Sequence, residues 1–179
     1  MTVNRALFYG VGMKSAKFIL FPVLALLLSG CAGYRVGSTL DKSIQSVSLT
    51  IVNKTSEPSI EVAVQKALRA ELQMDGRLEV RSKDDADVAL TVTLTEFDLT
   101  PLAYVRNKGS LADEYRMTIT ARAVLSDAET GEVISENPVV IGESEFRYIA
   151  DMTSTKRAGL PTAANDLARK VVSSTVTAW

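Results

Sequence analysis

The sequence contains no histidine. Histidine is the usual general base at neutral pH and the commonest metal ligand, so its absence excludes Ser-His and Cys-His catalytic pairs. Carboxylate pairs and a Ser-Lys dyad stay open, but the chain has no GxSxG, HExxH or phosphate-loop spacing. The acidic turn over residues 127–132 lacks the spacing of a calcium loop. We therefore predict that the protein is not an enzyme and holds no metal.

Cysteine is almost absent, since Cys31 is the only one in the chain. A single cysteine cannot form a disulfide within the chain, so the stability of the fold must come from packing. Cys31 ends the segment Leu28-Ser29-Gly30-Cys31, which directly follows eleven mostly apolar residues over positions 18–28. This position points to a role for Cys31 outside the folded core.

The first 30 residues are typical of a bacterial lipoprotein signal. Arg5, Lys14 and Lys17 precede the apolar run, no acidic residue accompanies them, and small residues precede the cysteine. A membrane-spanning helix needs about 20 apolar residues, roughly twice the length of this run. We predict that residues 1–30 are a removed signal peptide and that Cys31 carries a covalent lipid, with no other cofactor. A buried cysteine and an uncleaved anchor are the alternatives.

Basic residues are outnumbered by acidic residues in the chain after position 30. Three of the 20 basic residues and none of the 21 acidic ones lie in the first 30 positions, which leaves 17 basic against 21 acidic residues, a formal charge of −4. This balance argues against nucleic acid as a partner, because phosphate neutralisation needs a concentrated basic face. The remaining length suits one domain, so we predict a lipidated tether over 31–43 and a single domain over 44–179.

Apolar residues recur along this domain at two different spacings. Apolar residues at every second position predict strands, and apolar residues at three- and four-residue spacing predict helices. We expect the first helix to be capped by Thr55 or Ser56 and to stop at Gly76, and the second to begin at Pro161. The predicted strands cover residues 44–52, 78–81, 87–99, 114–125 and 133–148, with a break near Pro138, and the predicted helices cover 59–75 and 161–179.

This order of elements predicts an α+β fold, with two helices packed on one face of a mostly antiparallel, four- to five-stranded sheet. In the strand over 87–99, threonines alternate with the apolar residues and should face away from the helices. In the next strand Arg116 and Arg122 should share that outward face. Between these strands Arg106 and Lys108 form a basic tip, which is either simply solvated or a ligand contact.

Taken in this order, the segments resemble the LptE family of outer-membrane lipoproteins. The resemblance spans the whole chain after the signal. The matching segments are Leu28-Ser29-Gly30-Cys31-Ala32-Gly33-Tyr34-Arg35-Val36-Gly37-Ser38, Asn53-Lys54-Thr55, Ile60-Glu61, Ala86-Asp87, Glu114-Tyr115-Arg116, and Leu167-Ala168-Arg169-Lys170-Val171-Val172 before a terminal tryptophan.

The resemblance implies a partner, a ligand and a location. Members of the family plug the LptD β-barrel and assist lipopolysaccharide transport to the outer leaflet, so a threonine-rich outer face would suit a polar lumen wall. Lipopolysaccharide carries phosphates that basic side chains can pair with, and the candidates here are Arg106, Lys108, Arg116 and Arg122. Ala32 after the cysteine implies an outer-membrane, periplasm-facing anchor. A stand-alone lipid-binding lipoprotein and a lipid-anchored enzyme are the alternatives.

Overall fold

The computed structural model describes residues 43–104, 112–148 and 151–176 of the chain. Two helices and five strands lie in these ranges. In chain order they are β1 (Ser46–Asn53), α1 (Ile60–Asp75), β2 (Glu79–Val80), β3 (Val88–Tyr104), β4 (Ala112–Asp127), β5 (Val133–Arg147) and α2 (Met152–Val176).

The five strands form one sheet in the order β2-β1-β3-β4-β5. The predicted α+β fold is confirmed. The sheet is mixed, however, because β1 pairs in parallel with both β2 and β3, whereas β4 is antiparallel to β3 and β5. The parallel half arises because α1 carries the chain back across the sheet between β1 and β2, which is how parallel neighbours must be connected. The long hairpins β3–β4 and β4–β5 supply the antiparallel half that the sequence predicted.

The hydrophobic core lies between the sheet and the two helices. The predicted inward residues of β3 and β4 are buried, and so is the predicted buried side of α2 as far as it is described. Alternation therefore predicted the covered faces of β3 and β4. The fully buried large side chains include Val47, Ile60, Val64, Leu68, Leu72, Val88, Leu90, Leu94, Met117, Ile119, Leu125 and Leu167.

The start of α1 differs from the prediction. Neither Thr55 nor Ser56 caps the helix, which begins at Ile60 after Ser59 in a left-handed conformation with φ of 65° and no side-chain cap. The hydroxyl of Thr55 instead donates to Asn53 Oδ1 at 2.8 Å. Proline at position 58 disfavours helix in the residue before it, so the helix cannot extend back to these hydroxyls. The predicted stop at Gly76 is confirmed, with φ of 70°.

Asn53 organises the connection from β1 to α1. Its amide nitrogen donates to the backbone oxygen of Glu57 and to Glu61 Oε2, both at 2.9 Å. Its amide oxygen accepts from the backbone N–H of Thr55 at 2.9 Å. Because both ends of the amide are used, the segment Asn53-Lys54-Thr55 has a structural role in this chain.

Asp87 joins the beginnings of β1 and β3. Its Oδ2 accepts from the backbone N–H groups of Gln45 and Ser46 at 2.9 and 2.8 Å and from the Ser46 hydroxyl at 2.7 Å. These bonds, led by the one from the Gln45 backbone, hold the pKa of Asp87 below its usual value. The contact therefore stabilises the fold above the ordinary aspartate pKa and is lost as the pH falls through the lowered value.

The second helix begins earlier than predicted. It starts at Met152, so Pro161 lies inside the helix and not at its first position. Asp151 precedes the helix, and its Oδ1 accepts from the Ser154 backbone N–H at 2.9 Å. An interior proline costs about 3 kcal/mol locally. The turns that precede Pro161 are nevertheless packed into the fold, since Thr155 is fully buried and its hydroxyl donates to the backbone oxygen of Asp151 at 2.7 Å.

Strand β5 continues past Pro138, but its pairing is interrupted where the sequence predicted a break. Ala121 of β4 pairs with Val140, whereas Ala123 pairs with Asn137, so two residues of β5 oppose one residue of β4. This is a β-bulge. Proline is tolerated here because β5 lies at the edge of the sheet, where a backbone donor is not required on both sides.

Candidate functional site

One face of the sheet is not covered by any element that the structure describes. We call it the open face. It is built from side chains that point away from the helices on β1, β3, β4 and β5: Thr50, Val52, Thr91, Thr93, Glu96, Asp98, Arg116, Thr118, Thr120, Arg122, Ile141, Glu143 and Glu145.

Strand register places the threonines of the open face in cross-strand rows. Thr50 of β1 lies opposite Thr91 of β3. Thr93 of β3 lies opposite Arg122 of β4. A β-bulge beside Thr95 shifts the register between Leu94 and the next paired residue, and the Thr95 hydroxyl donates to the backbone oxygen of Thr120 at 3.2 Å. Threonine suits a strand and presents a hydroxyl outward. The open face therefore combines threonine hydroxyls with charged side chains of both signs, such as Asp98, Arg122 and Glu143.

The structure confirms the outward orientation of the two predicted arginines and reveals a partner for each. Arg116 forms an ion pair with Glu145 at 2.6 Å, and Arg122 forms one with Glu136 at 2.7 Å. The hydrogen bond to Glu145 raises the pKa of Arg116 above its usual value. Both pairs are largely exposed, and such pairs contribute little to stability. A phosphate that bound these arginines would have to displace a carboxylate from each.

The other predicted site residues, Cys31, Arg106 and Lys108, lie outside the described residues. The basic tip belongs to the segment between the end of β3 at Tyr104 and the start of β4 at Ala112. Since β3 and β4 are antiparallel neighbours, this segment is their connection. The lipidation site and the tip therefore remain predictions from the sequence.

Sequence reasoning did not anticipate a cavity of about 340 Å³ between the start of α1, the start of α2 and the sheet. Its lining includes the apolar side chains of Phe97, Met117 and Leu160. At its edge, Lys156 Nζ lies 2.6 Å from Glu57 Oε2 and 5.8 Å from the centre of the Phe97 ring. No local pattern could reveal this cavity, because its lining joins residues as distant as Glu57 and Lys156, which are 99 positions apart.

The described ranges contain no group of three or more histidine, cysteine, aspartate or glutamate side chains that could hold a metal ion. Among the same residues, no helix is long and apolar enough to cross a membrane. The candidate site in this part of the chain is the open face, and the small cavity lies at a separate position.

A family model described as lipopolysaccharide-assembly LptE matches residues 44–175, well over half of the chain. The chain belongs to the LptE family. This match confirms the family resemblance seen in the sequence. Members of the family are assembly lipoproteins and not enzymes. No curated protein matches the chain.

Solved structures share the fold of this LptE-family chain at low sequence identity. A protein from Xanthomonas campestris is 10% identical, with a TM-score of 0.55, and the match covers 82% of this chain and 88% of that one. A minor lipoprotein from Acinetobacter baumannii is 14% identical, with a TM-score of 0.52 and coverage of 76% and 95%. A PelC variant dodecamer from Paraburkholderia phytofirmans is 18% identical, with a TM-score of 0.51 and coverage of 77% and 93%.

These likenesses establish the fold alone. Family membership is what makes this LptE-family chain a lipopolysaccharide-assembly lipoprotein of the bacterial envelope.

Proposed function

We propose that this LptE-family lipoprotein is anchored by a lipid on Cys31 at the periplasmic side of the outer membrane. There it assembles with an LptD-type β-barrel as a plug and assists lipopolysaccharide transport to the outer leaflet. It works as a binding and assembly protein and not as an enzyme. The observation that carries the proposal is the open face of the sheet in a chain of this family.

The parallel half of the sheet supports a partner on this face. Parallel strands are normally covered on both sides. Here the helices cover one side of β2, β1 and β3, while on the other side Thr50 is exposed and Val52 is 37% exposed. A partner with a polar wall would cover this side and accept hydrogen bonds from the threonine hydroxyls. The lumen of a β-barrel has such a polar wall.

Lipopolysaccharide binding is the second part of the proposal. Phosphate groups form strong charge-assisted hydrogen bonds with arginine and lysine. Arg106 and Lys108 follow directly on β3, and Arg116 lies near the start of the neighbouring strand, so the four predicted basic residues are spread along the hairpin of β3 and β4. We propose this hairpin as the lipopolysaccharide contact.

The cavity does not favour the alternative of a stand-alone lipid carrier. Pockets for single small molecules measure about 300–1,000 Å³. At about 340 Å³ this cavity lies at the lower end of that range. A lipid with several acyl chains needs much more enclosed volume, so the docking function has the stronger structural support.

Purification of the full-length protein from detergent-solubilised outer membrane tests the assembly with the barrel. The variant Thr118→Arg places a bulky cation on the open face, between Asp98 of β3 and Glu143 of β5, which lie opposite position 118. The two carboxylates accommodate the new charge in the isolated domain. We expect the wild type to bring the LptD-type barrel with it and this variant to lose most of it.

The matched control is Thr162→Arg, which makes the same exchange of threonine for arginine at an exposed position of α2. We expect this control to retain the barrel. A wild-type protein that brings no barrel would refute the proposed assembly, and equal recovery with Thr118→Arg would refute the open face as the contact.

The variant Arg106→Glu with Lys108→Glu should weaken binding to lipopolysaccharide aggregates by about tenfold or more, because two attractive charges become repulsive toward phosphate. Sedimentation with the aggregates measures the loss. Lys66→Glu with Arg69→Glu, at two exposed positions of α1, makes the same change of charge elsewhere. If both double variants bind equally well, the basic tip is not the lipopolysaccharide contact.

A further inference from the structure

The two edge strands of the sheet differ greatly in length. One edge strand, β2, is only two residues long. The other edge strand, β5, has 15 residues and no strand beside it within the described ranges. A long edge strand presents a row of unpaired N–H and C=O groups, which is a template for pairing with another chain. The outer edge of β5 is therefore where strand addition would be expected.

Two side chains of α2 occupy the middle of this edge. Asp166 Oδ2 accepts from the backbone N–H of Glu143 at 3.0 Å, and Lys170 Nζ donates to the backbone oxygen of Ile141 at 2.7 Å. Lys170 Nζ also lies 2.7 Å from Asp166 Oδ2, so the two side chains hold each other. We call this pair the Asp166–Lys170 clamp. It takes one donor and one acceptor that an incoming strand would need.

The clamp reaches the strand because α2 packs unusually closely on β5. A Cβ atom at Gly142 would lie 2.5 Å from Leu167 Cβ and 2.6 Å from the backbone oxygen of Ala163. Only glycine permits this approach. Asp166 and Lys170 are one helical turn apart on the same side of α2, so both can contact the strand on either side of Gly142.

The surroundings of Asp166 favour its ionised form. Burial alone would raise the pKa of Asp166, but hydrogen bonds from Lys170 and from the Glu143 backbone, together with the charges of Lys170 and Arg169, bring it below the usual value. Further along the same strand, Pro138 has no N–H to offer and lies in the bulge that disturbs the pairing. The long edge is thus interrupted at two successive places.

We propose that the Asp166–Lys170 clamp locks the outer edge of β5 against strand pairing with a second copy of this chain. The chain therefore does not associate with further copies of itself through this edge. The inference concerns self-association and does not depend on the proposed assembly with a barrel.

The test uses the full-length lipidated protein in detergent with the double variant Asp166→Ala and Lys170→Ala. Hydrogen exchange of the Glu143 amide should become roughly tenfold faster or more, because its bond to a carboxylate is lost. Analytical ultracentrifugation should show self-association that grows with protein concentration. The control Arg169→Ala removes only a longer contact with Asp166, at 3.6 Å, and should change neither measurement.

A third variant separates edge pairing from misfolding. Adding Glu143→Pro to the double variant removes the freed N–H, so self-association through this edge should disappear. Association that persists with the proline would come from unfolded chains and would refute the lock. A double variant that stays unassociated at every concentration, or whose Glu143 amide exchanges as slowly as in the wild type, would refute it as well.

Discussion

Replacing Cys31 with alanine is expected to abolish incorporation of labelled palmitate and to prevent correct membrane anchoring. Cys31 carries the only thiol in the chain, and alanine has no nucleophile to replace it. Each buried CH₂ of an acyl chain contributes about 0.8 kcal/mol to membrane binding, so losing several chains removes nearly all of the affinity. We expect the variant to be either uncleaved or soluble. Palmitate labelling and membrane fractionation measure this outcome.

Ser29→Ala is the matched control for this prediction. It exchanges one small residue for another close to the predicted cleavage position, so labelling and fractionation should not change. If Cys31→Ala is labelled as strongly as this control, the lipid is attached elsewhere and the predicted signal is wrong.

Gly142→Ala should cause a large loss of stability in the folded domain. The added Cβ would lie 2.5 Å from Leu167 Cβ and 2.7 Å from the Leu167 backbone nitrogen, distances that real Cβ atoms do not tolerate. The backbone of α2 must then move away from β5, and overpacking of this kind typically costs 1–3 kcal/mol, so we expect a loss of about 3 kcal/mol in unfolding free energy. Chemical denaturation measures this change.

Glu143→Ala tests the same strand without the same collision. Its side chain is exposed, and its backbone N–H can still bind Asp166. We expect this variant to change the unfolding free energy by less than about 0.5 kcal/mol, as is usual at exposed positions. Equal stability of Gly142→Ala and Glu143→Ala would show that α2 does not depend on the close approach at Gly142.

The candidate site was only partly predictable. Period-two alternation placed Arg116 and Arg122 on the outward face of β4, because successive side chains of a strand point to opposite faces. It could not predict their pairing with Glu145 and Glu136, which lie 29 and 14 residues away. Such pairs depend on the register between strands, and register is decided by the packing of whole strands.

The second helix shows why local signals can fail. Proline at position 161 is typical of a helix start, and it predicted that α2 begins there. The helix instead begins at Met152, because the turns before Pro161 bury Thr155 and let the backbone oxygen of Gly159 accept the Ser144 hydroxyl at 3.0 Å. Ser144, which makes this contact with α2, belongs to strand β5, so no local pattern contains the contact.

The sequence by itself predicted the α+β class, the covered faces of β3 and β4 and, through a resemblance, the LptE family, and these predictions are confirmed. The signal around Cys31 stays a prediction. The fold class and the covered faces depend on periods of two and 3.6 residues, which neighbouring residues express, whereas the family was predicted from the order of the resembling segments. Only the tertiary structure decided the mixed sheet, the ion pairs of the open face, the cavity beside Phe97 and the Asp166–Lys170 clamp. Each of these joins residues that are distant in the chain, so it exists only after the strands and helices have packed.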